Sequence, residues 1–120
     1  MERTIVFVCP HGALKSRLAA AFFNRVAPPG WIATAAGQQP QPAVSQHAIA
    51  LVAGTDIEAL LDTDPPRPLA GTSDLIVAID CAIEDAVGWR LAEPLPGEAM
   101  RDELRLRAEQ MARELADVHP

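Results

Sequence analysis

The chain has 120 residues, of which 49% are hydrophobic and 22% are charged, so it is long enough for one domain with a single core. Its net charge of −6 argues against nucleic acid as a partner, because phosphate backbones are bound by basic surfaces. No apolar run approaches the ~20 residues that span a bilayer, no signal peptide is visible, and two cysteines are too few for a disulfide framework. A cytoplasmic protein without a membrane partner is expected.

The hydrophobic pattern predicts alternating strands and helices. In chain order these are a strand over Thr4–Val8, a helix over Ser16–Val26, a strand over Trp31–Ala36, a helix over Val44–Val52, a strand over Asp74–Ile79, a helical turn over Ala82–Val87, a weak strand over Trp89–Ala92 and a helix from Gly97 onward. This alternation predicts a single α/β domain over residues 1–120, with a parallel sheet and helices on both faces. Ligands of such sheets bind at the carboxyl ends of the strands, where Cys9, the Asp80-Cys81 pair and Glu93 are expected.

The most informative segment runs from Ile5 to Ser16, IVFVCPHGALKS. An apolar strand ends at Cys9, and a loop with a glycine leads into a helix that carries Lys15 and Ser16. Such a strand–loop–helix unit directs backbone N–H groups and a helix N-terminus at one point, which favours anion binding. The same dipoles favour the thiolate form of a cysteine placed there, so Cys9 is a candidate nucleophile. The predicted anion-binding loop consists of Pro10, His11, Gly12, Ala13, Leu14, Lys15 and Ser16.

Several segments in the same order resemble the low-molecular-weight protein tyrosine phosphatases and the arsenate reductases that share their fold. They are Val6-Phe7-Val8-Cys9 with five residues before Lys15-Ser16, then Ala19, Phe22-Phe23, Ala35-Ala36-Gly37, Asp56-Ile57, Arg67-Pro68-Leu69, Ser73 to Val77, and Glu93-Pro94. The resemblance covers most of the chain. It implies a three-layer fold with a four-stranded parallel sheet and helices on both faces. His11 and Ala13 are closer to the arsenate reductase branch.

The resemblance also implies a mechanism. The thiolate of Cys9 would attack phosphorus, N–H groups of the loop would hold the oxygens, and Ser16 would stabilise the thiolate by hydrogen bonding. Glu93, at the position of the family's general acid, would protonate the leaving oxygen and later activate water. Asp80 and Asp85 are weaker candidates for that acid. The implied substrate is a small oxyanion or a phosphorylated molecule, and no cofactor is required.

Three residues depart from the family pattern. Lys15 replaces an arginine whose planar fork grips two phosphate oxygens, so weaker transition-state binding is expected. Arg17 is not expected to compensate, since residues two apart on a helix do not face each other. Gly12 replaces an asparagine in a left-handed loop, a tolerable change. Glu93 replaces an aspartate and moves the acid by one methylene. The chain has no tyrosine that could form the aromatic wall around a phosphotyrosine ring. Trp89 could supply one aromatic side chain for that wall, but it is expected in the core.

Cys81 lies near the position of a resolving cysteine in arsenate reductases, and an oxidative link to Cys9 is one prediction; a plain buried thiol is the other. His47 and His119 lack partners at metal-ligand spacing, so no metal site is proposed.

Three functions remain open. The first is a phosphatase-like hydrolase of reduced activity that forms a cysteinyl-phosphate. The second is an arsenate reductase-like enzyme that uses Cys9, Cys81 and a low-molecular-weight thiol. The third is a catalytically silent anion-binding module.

Overall fold

Strand β1, Arg3–Cys9, lies at the centre of a four-stranded parallel sheet in a computed structural model that describes residues 2–91 and 97–118. The strand order is β2-β1-β3-β4, where β2 is Trp31–Gly37, β3 is Leu75–Ile79 and β4 is Val87–Trp89. The register pairs Val8 with both Ala36 and Ala78. The predicted four-stranded parallel α/β sheet is thereby confirmed, and its carboxyl edge brings the ends of β1, β2 and β3 together.

Within the described ranges, three helices pack against this sheet. Helix α1 is Lys15–Val26, α2 is Gln46–Val52 and α3 is Gly97–Val118, and a 3₁₀ turn covers Glu58–Leu60. Helix α1 ends before Pro28 because the residue that precedes a proline avoids the helical region, and Ala27 is accordingly extended with ψ 136°. Ser45 caps α2 by accepting the N–H of His47 at 3.1 Å.

The two faces of the sheet are covered differently. On one face, Ile5, Phe7 and Cys9 join buried residues from all three helices in what we call the helix-side core. On the other face lies the second-face cluster, formed by Val6, Val8 and Ala36 and covered by the partly buried Leu69, Ile76, Cys81 and Ile83. Within residues 2–91 and 97–118, no helix adds a buried residue to the second-face cluster. The coverage is therefore less even than the sequence predicts, because connecting segments cover that face.

Most predicted elements agree with the observed ones to within one or two residues, and Trp89 is buried against Phe7 with 5.4 Å between ring centroids. The helical turn predicted over Ala82–Val87 was wrong. Asp85 has φ 63°, which no right-handed helix accommodates, and the segment is a turn closed by Ala86 N–H on the Ile83 carbonyl at 3.4 Å. The last strand therefore begins at Val87, earlier than predicted; Ala92, its predicted end, lies outside the described residues.

Candidate functional site

Cys9 and Ser16 are joined across the predicted anion-binding loop. Cys9 is the last residue of β1 and is 3% exposed, and Ser16 in the first turn of α1 is fully buried. The Sγ atom of Cys9 lies 3.1 Å from Ser16 Oγ and accepts the Ser16 backbone N–H at 3.4 Å. When Cys9 is a thiol, Sγ donates to Oγ; when it is a thiolate, both the hydroxyl and the N–H of Ser16 can donate to it. Ser16 is thus placed to stabilise the nucleophilic form.

Backbone N–H groups of the segment that follows β2 hold the loop in place by binding the loop's carbonyl oxygens. Four backbone N–H groups of this segment donate to loop carbonyls: Gln38 to Cys9 at 3.0 Å, Gln39 to Pro10 at 2.8 Å, Gln41 to His11 at 3.3 Å and Ser45 to Ala13 at 3.0 Å. In a planar trans peptide the carbonyl and the next residue's N–H point in opposite directions. The N–H groups of His11, Gly12 and Leu14 are therefore directed away from the 38–45 segment, as an anion-binding loop requires.

The N-terminus of α1 adds to the same field. Leu14 occupies the cap position and no side chain caps the helix there. The uncapped N–H groups of the first turn carry the positive end of the helix dipole toward Cys9. The helix and the loop together thus provide a positive region in a chain whose net charge is negative.

Glycine is required at position 12 because the loop there lies against the end of β2. It has φ +66°, and a Cβ built on it would lie 2.7 Å from the backbone nitrogen of Gly37. A Cβ on Gly37 would likewise lie 2.7 Å from the nitrogen of Gly12. The two glycines therefore let the loop and β2 approach more closely than any side chain permits. The expectation that glycine is merely tolerable here understates its role, since the family's asparagine would not fit this packing.

Lys15 forms an ion pair with Asp80, the residue that follows β3. The Lys15 Nζ atom lies 2.6 Å from Asp80 Oδ2, and Asp80 Oδ1 accepts the Leu91 N–H at 3.0 Å. Burial raises the pKa of Asp80, but the hydrogen bonds from Lys15 and Leu91 together with the Lys15 charge lower it below its ordinary value. Asp80 thus stays ionised beside the loop. A group in that state cannot supply a proton, so Asp80 is a counterion of Lys15 and a poor general acid.

Arg17 is the residue whose place the sequence did not predict. It is 1% exposed, and its side chain lies beneath the loop. Its Nε donates to the Gly12 carbonyl at 2.8 Å and its Nη1 to the Asp62 carbonyl at 2.6 Å. The signal available in the sequence was its position in the first helical turn, where side chains point back toward the N-terminus.

A cavity of about 340 Å³ opens over the loop. Its lining consists of Cys9, Pro10, His11, Ala13, Leu14, Lys15, Gln41 and Ser45. Most of the predicted loop residues thus face one cavity, while Gln41 and Ser45 are lining residues that sequence reasoning missed. Both follow β2 at the carboxyl edge of the sheet, where the topology rule could have placed them.

Two predicted site residues remain, Glu93 and Cys81. Glu93, the predicted acid, is outside the described residues. Cys81 follows β3 as expected, but its Sγ lies 3.6 Å from the Val8 carbonyl oxygen and packs on the second-face cluster, whereas Cys9 belongs to the helix-side core. The two free thiols therefore lie on opposite faces of β1. Burial, followed by the nearby charges of Cys9 and Asp80, raises the pKa of the Cys81 thiol.

Across residues 2–91 and 97–118, no group of three or more His, Cys, Asp or Glu side chains is arranged to hold a metal ion. In the same part of the chain, no helix is long and apolar enough to cross a membrane.

No protein-family profile matches the sequence, and a search of curated protein sequences finds no significant relative. Solved structures do match. A thioredoxin-dependent arsenate reductase of Corynebacterium glutamicum superposes with a TM-score of 0.77 at 17% identity, over 95% of this chain and 62% of that one. An arsenate reductase of Archaeoglobus fulgidus gives 0.69 at 24% identity, over 91% and 98%. A low-molecular-weight protein tyrosine phosphatase of T. tengcongensis gives 0.70 at 17%, over 94% and 99%.

The chain therefore has the fold that low-molecular-weight protein tyrosine phosphatases share with arsenate reductases. The likeness extends over nearly the whole described chain and over nearly the full length of two of these structures, while the chain spans 62% of the length of the Corynebacterium enzyme. The resemblance drawn from the sequence is confirmed at the level of the fold.

Proposed function

We propose that this chain hydrolyses phosphate monoesters through a phosphorylated Cys9, with lower activity than a site carrying arginine at the Lys15 position. The observation that carries the proposal is the Cys9–Ser16 pair, in which Sγ has Ser16 Oγ at 3.1 Å and the Ser16 N–H at 3.4 Å at the base of the loop. A module that only binds anions needs no thiol at that position. A buried thiol kept only for packing needs no such partner.

The first step transfers the phosphoryl group to the protein. The Cys9 thiolate attacks phosphorus, the phosphorus–oxygen bond to the leaving group breaks, and that oxygen takes a proton from a carboxylic acid. Loop N–H groups stabilise the negative charge on the three remaining oxygens. We assign the acid to Glu93, following its place in the sequence, because the hydrogen bonds and charge around Asp80 hold the latter ionised.

The second step returns the thiolate. Water attacks phosphorus and gives a proton to the Glu93 carboxylate, the sulfur–phosphorus bond breaks, and inorganic phosphate leaves with Cys9 again ionised and hydrogen-bonded to Ser16. Lys15 supplies one compact charge in place of a bidentate fork, and that charge is already paired with Asp80. These two features support a reduced rate, since part of the transition-state stabilisation is missing.

The test is p-nitrophenyl phosphate hydrolysis by the wild-type chain and by Cys9→Ser and Ser16→Ala. Hydrolysis should vanish in Cys9→Ser and fall strongly in Ser16→Ala. Acid quenching during turnover should show the mass of one phosphoryl group on the peptide that contains Cys9. Saturable phosphate binding with no hydrolysis would replace this proposal with the anion-binding module, and hydrolysis that survives in Cys9→Ser would assign the reaction to another residue.

A second candidate function is arsenate reduction, which is supported by the fold shared with arsenate reductases and by the hydrogen bond of the Ser16 N–H to Cys9 Sγ. Cys9 would attack arsenic and displace hydroxide. A thiolate, from Cys81 or from a low-molecular-weight thiol, would then attack Sγ, and arsenite would leave with the electron pair while a disulfide remains. Because Cys81 faces the other side of β1, an external thiol fits this step better. Arsenite formation in the presence of glutathione, compared in Cys9→Ser and Cys81→Ser, separates this function from phosphatase activity.

A further inference from the structure

Arg17 is a buried cation that neither step of the proposed mechanism uses. Its Nε–Gly12 and Nη1–Asp62 carbonyl bonds, 2.8 Å and 2.6 Å long, join the anion loop to the segment that follows the 3₁₀ turn. Its Nη2 is also buried and has no hydrogen-bond partner in the described part of the chain. An unsatisfied N–H on a buried charge costs stability, so packing alone does not explain an arginine at this position.

The charge of Arg17 is balanced by Asp62. Nη1 lies 3.4 Å from Asp62 Oδ1, and Asp62 Oδ2 lies 2.6 Å from Nη2 of Arg67. Burial lowers the pKa of Arg17, and the charge of Asp62 opposes that effect. The Arg67 carbonyl then accepts the N–H of Gly37 at 2.8 Å, and Gly37 contacts Gly12. These contacts therefore connect Arg17, through Asp62, Arg67 and Gly37, back to Gly12, whose carbonyl Arg17 also binds.

Gly12 differs from its neighbours in what holds its carbonyl. The carbonyls of Pro10, His11 and Ala13 accept main-chain N–H groups from the 38–45 segment, whereas that of Gly12 accepts the side chain of Arg17. Because the Gly12–Ala13 peptide is planar, fixing this carbonyl also fixes the direction of the Ala13 N–H. Arg17 lies beneath the loop, so the Ala13 N–H is directed to the opposite side, and Ala13 lines the cavity.

We infer that Arg17 is a positioning residue that aims the backbone N–H of Ala13 at the bound oxyanion. The inference rests on the proposed function in that it names the oxyanion as ligand, and it adds a residue that contacts neither the substrate nor Cys9. The role calls for arginine because two donors at fixed spacing must reach the Gly12 and Asp62 carbonyls together. Lysine keeps the charge but lacks the fork, and methionine fills a similar volume without any donor.

The experiment compares Arg17→Met and Arg17→Lys with Phe23→Leu, a control in the same helix that is buried against Phe7 with 6.1 Å between ring centroids, away from the loop. Phosphate is titrated into ¹⁵N-labelled protein. Arg17→Met should bind phosphate about tenfold more weakly, the scale of losing one hydrogen bond to a charged group. The shift of the Ala13 amide on phosphate addition should shrink more than those of His11 and Leu14. Arg17→Lys should weaken binding by less, and Phe23→Leu should lower the unfolding temperature without changing the phosphate affinity.

A second measurement needs no ligand. The heteronuclear NOE of the Ala13 amide reports its order on the picosecond-to-nanosecond timescale, and it should fall in both Arg17 variants and not in Phe23→Leu. If wild type binds phosphate and both Arg17 variants bind it equally well with an unchanged Ala13 shift, the inference is overturned and the proposed function stands. If wild type binds phosphate but hydrolyses no p-nitrophenyl phosphate, and the Arg17 variants bind phosphate more weakly with a smaller Ala13 shift, the proposed function fails and the positioning role stands. If wild type binds no phosphate, both fail. If Arg17→Met does not fold, Arg17→Lys decides by the same criteria.

Discussion

Lys15 Nζ lies 2.6 Å from Asp80 Oδ2, so the lysine of the predicted anion-binding loop is bound to a carboxylate of the protein. Any oxyanion that uses Lys15 must share it with Asp80 or displace it. Asp80 has φ 54°, a left-handed conformation that asparagine also adopts readily. Asp80→Asn therefore removes the charge while keeping an acceptor for Leu91 and the backbone conformation.

Asp80→Asn is expected to tighten phosphate binding by about threefold to tenfold, which corresponds to ~0.7–1.4 kcal/mol. The reason is that a negative charge beside the loop, bound to Lys15 in the wild type, is removed. The measurement is titration calorimetry at low ionic strength, where charge effects are least screened. Because the pKa of Asp80 is lowered, its carboxylate stays ionised at mildly acidic pH. Lowering the pH into that range should therefore not tighten phosphate binding by the wild-type chain as Asp80→Asn does. Weaker binding by Asp80→Asn would mean that the carboxylate holds Lys15 in its productive position.

Lys15→Arg is expected to raise kcat/KM for an aryl phosphate by about tenfold. A guanidinium can keep a contact with Asp80 while presenting two parallel N–H groups to phosphate oxygens, and these contacts strengthen as charge develops. Steady-state kinetics on both forms, with Lys15→Ala for comparison, measures the effect. An unchanged or lower value for the arginine form would show that the loop has been rebuilt around lysine.

Gly12→Asn is expected to lower the free energy of unfolding by about 2 kcal/mol or more, although it restores the family residue. Asparagine tolerates the positive φ, but its Cβ would meet the Gly37 nitrogen at 2.7 Å. Gly54→Asn is the matched control, because Gly54 has φ +76° and no atom within 4 Å of the added Cβ. Urea unfolding of the two variants isolates the contact, and equal losses in both would attribute the effect to backbone conformation alone.

The sequence predicted the strand, the loop and the helix of this site because an apolar run, a glycine and an amphipathic pattern are local signals. It could not show that Gly12 meets Gly37, since that contact depends on the register between β1 and β2. Nor could it show that Arg17 reaches Asp62, which lies 45 residues away along the chain. The last strand was misplaced because β4 has only 3 residues and carries almost no periodic signal.

Cys81 is expected to react with iodoacetamide only at more alkaline pH than a free cysteine. Burial raises its pKa, so at neutral pH a smaller fraction is thiolate, and the rate should rise as pH approaches the raised value. Cys9→Ser leaves Cys81 as the single thiol for this profile, and Cys81→Ser leaves Cys9. At neutral pH Cys9, which lines the cavity, should be labelled before Cys81, and phosphate should protect it. Faster labelling of Cys81 under those conditions would contradict this order.

The placement of the two thiols also bears on oxidation. The sequence leaves open a Cys9–Cys81 link and a plain buried thiol at Cys81. In the structure the two side chains lie on opposite faces of β1, and a disulfide needs Cβ atoms that face each other. Peroxide treatment of the native protein should therefore give sulfenic and higher acids at Cys9 with no linked peptide, read by mass spectrometry. Protein oxidised in urea is the control, because there the chain can bring both thiols together. A rapid native disulfide would show that the turn after β3 rearranges, and it would give the arsenate reductase function its internal resolving thiol.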